Sequence, residues 1–265
     1  MMKRLAWLSI LTVLAPAATY AAPIQVDLTG WTENGFKGNN GAGSWNVQTG
    51  NEEVVQTING EPTVFFDPGA NDQGNSLRGT VEVETSGDDD FVGFVLGYQQ
   101  GEFNSTNADF WLIDWKQSDQ TFDGVDAEEG LALSHITGDI ENGPTALDSL
   151  WSHEDTVDDV QRATNLGSTG WDDNTEYGFD LTFTDTLIEV KVDGDTELSY
   201  TSTDNGGESF TDGAFGFYNY SQDPVRYAGL TEEQLPPTSS VPLPATLPMF
   251  LAGIGGLAFL RRRKT

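Results

Sequence analysis

Asp88, Asp89 and Asp90 stand in a row just before an apolar run that starts at Phe91. That grouping suits a hard divalent cation. Calcium takes about six to eight oxygen ligands, and consecutive aspartates at a strand entry can turn carboxylates and carbonyls toward one point. Asp114 lies on the next predicted strand, on the face opposite Trp111 and Trp115, and is expected to add a fourth ligand. A solvated charged turn accounts for the same residues, and the sequence leaves both readings open. Two further acidic groups, Asp123/Asp126/Glu128/Glu129 and Asp155/Asp158/Asp159, lack the spaced Asp/Asn-Gly-Glu pattern of an EF-hand and read as solvated loop charge.

Other chemistry is bounded by composition. The chain has no cysteine, which excludes thiol catalysis and iron–sulfur clusters. Its two histidines, His135 and His153, are too few for a histidine-rich zinc site. Glycoside hydrolysis needs two carboxylates facing the sugar at a fixed separation. No Glu-x-Asp-x-Glu run sets alternate acids on one strand face, and Glu82 and Glu84 alternate with valines, so they are expected to face solvent. A Gly-x-Ser-x-Gly elbow is also absent. A non-catalytic protein is therefore expected, with a carbohydrate-active hydrolase as the alternative. Trp111 and Trp115 read as core, whereas Trp151 and Trp171, beside long loops, fit either core or a sugar-stacking surface.

The segments that must position these residues read as β from end to end. Thr80–Glu84 alternates apolar and acidic residues, and Trp111, Ile113 and Trp115 share one face, as do Tyr177, Phe179, Leu181 and Phe183. Ile188–Val192 leads through an Asp193-Gly194 turn into a return strand carrying Leu198 and Tyr200. Ala214–Tyr220 is a further strand, with Val225–Leu230 as its expected partner. Asp119–Gly130 and Gly138–Gly170 read as long loops. Many strands with Gly, Asn and Asp turns indicate an all-β antiparallel sandwich.

Both ends read as addresses. Lys3 and Arg4 precede an apolar run from Leu5 to Ala18, and small residues at Thr19 and Ala21 suit cleavage of a signal peptide, residues 1–21, by the Sec route. At the other end Val241, Pro242, Leu243, Pro244 and Ala245 lead into an apolar stretch long enough to span a membrane as a helix, closed by Arg261, Arg262, Arg263 and Lys264. Basic residues at the extreme end stay cytoplasmic and hold the domain on the outer side. Between the ends, residues 22–230 form the expected sandwich and 231–240 a polar linker. Six of the 12 basic residues sit in the two end segments, which hold no acid, so the middle carries six bases against 42 acids, a net charge of −36. Such a surface repels phosphate, which makes nucleic acid a poor partner and cations or basic proteins better ones. An acidic coat suited to a saline habitat has the same composition.

Several stretches, in order, resemble the C-terminal lectin-like region of thrombospondins. They are Ser44-Trp-Asn-Val47, Val54–Pro62, Gly79-Thr80, Asp88–Gln99, Phe110–Thr121 with Trp115-Lys-Gln117, Leu150-Trp151, Gly170-Trp171, Phe215-Gly-Phe217 and Ser221-Gln222. The resemblance implies a concanavalin-like jelly roll of two antiparallel sheets, extracellular and calcium-binding, with a role in matrix and cell contacts. The tail resembles the Val-Pro-Leu-Pro-Ala variant of the PEP-CTERM sorting signal. That implies a Gram-negative envelope rich in exopolysaccharide, and an exosortase that cuts near the motif; the plain alternative is an uncleaved anchor. Together these give an exported calcium-binding adhesion or exopolysaccharide/biofilm-associated protein. Its expected partners are the exosortase, then exopolysaccharide or another surface protein, with a structural envelope protein as a further alternative.

Overall fold

The computed structural model describes residues 22–36, 41–140 and 146–236. In chain order its strands are β1 (Ile24–Gln25), β2 (Thr32–Gly35), β3 (Trp45–Val47), β4 (Glu53–Gln56), β5 (Thr63–Phe66), β6 (Asn75–Val83), β7 (Phe91–Tyr98), β8 (Ala108–Lys116) and β9 (Gln120–Phe122). They continue as β10 (Val125–Ala127), β11 (Gly130–Gly138), β12 (Val157–Arg162), β13 (Glu176–Phe183), β14 (Leu187–Val192), β15 (Asp195–Thr201), β16 (Ala214–Tyr220) and β17 (Val225–Gln234), with a short helix α1 (Ala146–Ser152) before β12. One sheet runs β15-β14-β13-β6-β17-β4-β3, with β1 also paired to β17; the other runs β12-β11-β8-β7-β16-β5-β2. Neighbours pair antiparallel throughout, as the sandwich reading expects.

Alternation places the core between the sheets. Trp111, Ile113 and Trp115 of β8 and Phe179, Leu181 and Phe183 of β13 belong to one buried cluster, and the rings of Phe94 and Phe179 sit 4.4 Å apart across it. Gly93 lies where two backbones approach too closely for a side chain. A Cβ there would fall 2.0 Å from the Ile113 carbonyl. Tyr227 from the opposite sheet uses this gap, accepting the Gly93 N–H at 3.2 Å and donating to the Tyr218 carbonyl at 2.6 Å.

The outer face of the second sheet is also covered. Phe66, Phe91, Val95, Phe110 and Leu112 pack with Phe103, Leu150 and Trp151 in a second cluster, so all eight residues of β7 are buried. The segments read as long loops build this cover. Asp123 and Gly124 take left-handed φ of 49° and 88°, the geometry of a two-residue hairpin turn, and join β9 to β10. The second segment folds into α1 and β12.

Two expectations are corrected. β16 and β17 are not partners: β16 pairs with β5 and β7, and β17 with β4 and β6 in the other sheet. Their short connector, with Ser221 at φ 60°, crosses between the sheets instead of closing a hairpin. The polar linker also starts later than residue 231, because Thr231–Gln234 continue β17 opposite Arg78–Asn75 after a register shift at Ala228/Thr231. The bulge breaks the alternation that would have marked them as strand. Among the described residues no helix is long and apolar enough to cross a membrane. The signal peptide, the sorting motif and the C-terminal span lie outside the described residues.

The register also fixes the two poles of the sandwich. Val83 faces Val225 and Asn75 faces Gln234, so the loop carrying Asp88–Asp90 emerges at the pole where β17 begins. The chain leaves β17 at the opposite pole, where the Leu235 N–H donates to the Gly74 carbonyl at 2.8 Å. β1 lies at that same exit pole, with Ile24 opposite Glu232.

Candidate functional site

Asp88, Asp89 and Asp90 end the loop from β6 and enter β7, and each can bring a carboxylate oxygen within 4.8 Å of the others. Among the described residues this is the one acidic group so compact. Asp90 is almost fully buried; its N–H donates to Gln222 Oε1 at 2.9 Å and its carbonyl accepts from Trp171 Nε1 at 3.2 Å. Asp89 accepts a hydrogen bond from Ser118 Oγ, and Asp88 accepts from Asn59 Nδ2. Burial, with the Asp90 charge added, pushes the Asp88 pKa up to about 6. The loop thus crowds negative charge beyond what its neighbours balance.

The nearest counter-charge comes from Lys116, the last residue of β8. Its side chain is fully buried, with Nζ 3.0 Å from Asp90 Oδ1, 3.8 Å from Asp89 Oδ1, 3.0 Å from the Asp89 carbonyl and 2.8 Å from Gln120 Oε1. The ammonium also lies 4.7 Å from the ring centroid of Trp151 and 5.1 Å from that of Phe91. One lysine therefore neutralises one of three carboxylates from below and fixes two rings. Sequence reasoning passed it over, although its place two residues after Asp114 on the outward face was the available signal.

Asp114 does not join the three aspartates. Its buried carboxylate meets His153 Nε2 at 3.1 Å on the covered outer face of the second sheet. Burial works against a charged imidazole, but the Asp114 carboxylate outweighs it and holds the His153 pKa above the ordinary histidine value. The other acidic groups act as braces. Asp126 accepts from Thr121 Oγ1 at 2.5 Å and Glu129 Oε1 from the Gly170 N–H at 2.9 Å, while Asp159 pairs with Arg162 at 3.5 Å. Glu82 and Glu84, expected to face solvent, share Arg226 with Glu176. Trp151 and Trp171 are buried, Trp151 on α1 and not in a loop.

Beside the aspartates a cavity of about 400 Å³ opens at the same pole. Glu61, Asp88 and Asp90 line it together with the rings of Phe122, Trp151 and Tyr220. Trp151 stands edge-on to Tyr220 at 5.5 Å, and Phe122 lies 6.0 Å away on the hairpin.

Residues 40–234, nearly the whole sandwich, match the family model described as the thrombospondin C-terminal region. The chain belongs to this family. Residues 240–264 match the PEP-CTERM protein-sorting motif, which marks the thrombospondin-type domain for export to the cell envelope and for exosortase processing. Cartilage oligomeric matrix protein of Rattus norvegicus is 28% identical over 195 residues, covering 71% of this chain and 25% of the relative. Thrombospondin-4-B of Danio rerio is 30% identical over 196 residues, covering 71% and 20%. The chain thus spans about a quarter or less of the curated relatives it matches. A Bacillus subtilis protein of unknown function with a galectin-like fold superposes with a TM-score of 0.51 at 12% identity, covering 82% of this chain and 97% of that one, a likeness of fold alone.

Proposed function

We propose that this thrombospondin-type domain is a non-catalytic adhesion or matrix protein of the bacterial envelope, stabilised by a calcium ion at Asp88, Asp89 and Asp90. One observation carries the metal reading: three carboxylates crowd within 4.8 Å while a single ammonium, Lys116, balances them. All donors are hard oxygens, which suits calcium over softer metals. Burial first and the Asp90 charge second raise the Asp88 pKa, and a carboxylate so placed favours either a proton or a cation. The sorting motif supports an extracellular role, delivered through the Sec route and released or retained by an exosortase. Asp114 is left out of the ligand set because His153 holds it.

Calcium titration followed by calorimetric melting tests this. Millimolar calcium is expected to raise the melting temperature over chelator, and Asp88→Asn with Asp89→Asn should abolish the rise. An equal response in wild type and double variant, or none in either, would sink the metal reading.

A further inference from the structure

We propose that the cavity at the pole opposite the chain exit binds an uncharged, polyhydroxylated sugar chain, with Phe122 and Tyr220 as stacking faces and Glu61 and Asp88 as hydroxyl acceptors. The inference rests on the non-catalytic ligand-binding reading above, and supplies the chemical class of ligand.

Three observations select that class. Phe122 is 62% exposed at the end of β9 beside carboxylates, the one aromatic ring among the described residues held out in this way. An apolar ring next to acceptors suits a ligand with one apolar face and hydroxyls at its edge. The lining of the cavity contains three carboxylates and neither lysine nor arginine, which disfavours any anionic ligand. The third is charge balance: the Lys116 ammonium, 3.0 Å from Asp90 and 4.7 Å from the Trp151 ring, together with the calcium ion proposed above offsets Asp88, Asp89 and Asp90, so a cationic ligand meets Glu61 alone. What remains is a neutral donor of hydroxyl groups. At about 400 Å³ the cavity falls in the range of roughly 300–1,000 Å³ usual for small-molecule sites, enough for a few sugar units of a longer chain.

Its place in the fold fits a polymer. β17 runs ten residues between the poles, about 30 Å at strand rise, so the cavity opens that far from the end that leads to the sorting motif.

The test is affinity electrophoresis of the full-length chain in detergent, in native gels cast with hydroxyethylcellulose, dextran or laminarin, with alginate as the anionic contrast. Binding of a deca-lysine peptide is followed separately by tryptophan fluorescence. At least one neutral polysaccharide should retard the protein, and Phe122→Ala should weaken that retardation about tenfold. Because Phe122 is exposed, the variant's melting temperature should stay within a degree or two of wild type; Glu61→Gln provides a second, independent loss. Retardation by none of the three neutral polymers, retardation unchanged in both variants, or binding of alginate or deca-lysine alone would overturn the proposal. Calcium stabilisation without retardation would sink the sugar site and spare the metal; retardation without calcium stabilisation would do the reverse.

Discussion

Replacing Lys116 by methionine keeps the stem between Phe91 and Trp151 and removes the ammonium. Two carboxylates, one of them nearly fully buried, then lose their charge partner at 3.0 and 3.8 Å. At an effective dielectric of about 20, the 3.0 Å contact alone is worth roughly 5 kcal/mol of attraction. The variant no longer desolvates an ammonium, which offsets part of that loss. Breaking a buried pair from one side costs about 3–5 kcal/mol, because the remaining charge stays buried. For a domain of this length that corresponds to a fall in melting temperature of roughly 10 °C. Scanning calorimetry in chelator measures it. Adding Asp90→Asn to Lys116→Met should recover a large part of the loss, since the stranded charge is then gone. Calcium should shrink the cost of Lys116→Met, because the metal supplies positive charge to the same aspartates. A loss below about 1 kcal/mol in chelator would refute the reasoning on burial. An equal loss with and without calcium would refute the idea that lysine and metal share one set of carboxylates.

Two other outcomes follow from the core. Glu102 is buried, and burial pushes its pKa up to about 7 from 4.5 despite backbone N–H bonds from Asp109 and Gln99. Both states bind the proton below 4.5 and neither does well above 7. The folded state is therefore penalised as pH rises through that window, by on the order of 3 kcal/mol at pH 8. Glu102→Gln should be the more stable protein at pH 8 and lose that advantage by pH 4.5; urea melts showing a pH-independent difference would contradict this. Gly93→Ala forces a methyl within 2.0 Å of the Ile113 carbonyl and should cost more than about 3 kcal/mol, visible as a collapse in soluble yield or melting temperature. A near-neutral effect would mean that β7 and β8 can separate.

The sequence displayed most clearly what one-sided burial dictates. Phe179, Leu181 and Phe183 alternate with polar residues because only one face of β13 meets the core, and Asp193-Gly194 marks the β14–β15 hairpin by backbone chemistry alone. The second sheet was harder to read because its outer face is also covered. β7 is apolar on both sides, so alternation vanishes, and the β9–β10 hairpin and α1 that cover it look like acidic loop. Asp123-Gly124 carries the same turn signature as Asp193-Gly194, but its flanking strands are only three residues long. At the site, the three aspartates were legible as a cluster. Lys116 was not, because a strand lysine ordinarily faces water, and Asp114 was misassigned because its partner His153 lies 39 residues away across the α1 segment. The separation of β16 from β17 was hidden for a related reason: a short connector reads the same whether it folds back within a sheet or steps across to the other.

The arrangement of β17 also governs how the molecule bears load. Its C-terminal end leads toward the sorting motif, its N-terminal end lies at the pole with the cavity, and β6 flanks one side while β4 and β1 flank the other. Antiparallel hydrogen bonds lie perpendicular to the strand. A pull between a surface attachment at one pole and a ligand at the other runs along β17, so the bonds to its neighbours are strained together in shear instead of opening one after another. Under the adhesion reading proposed above, the strand nearest the sorting motif is the one whose hydrogen bonds share the load, a mechanical property set by where the chain exits the sheet.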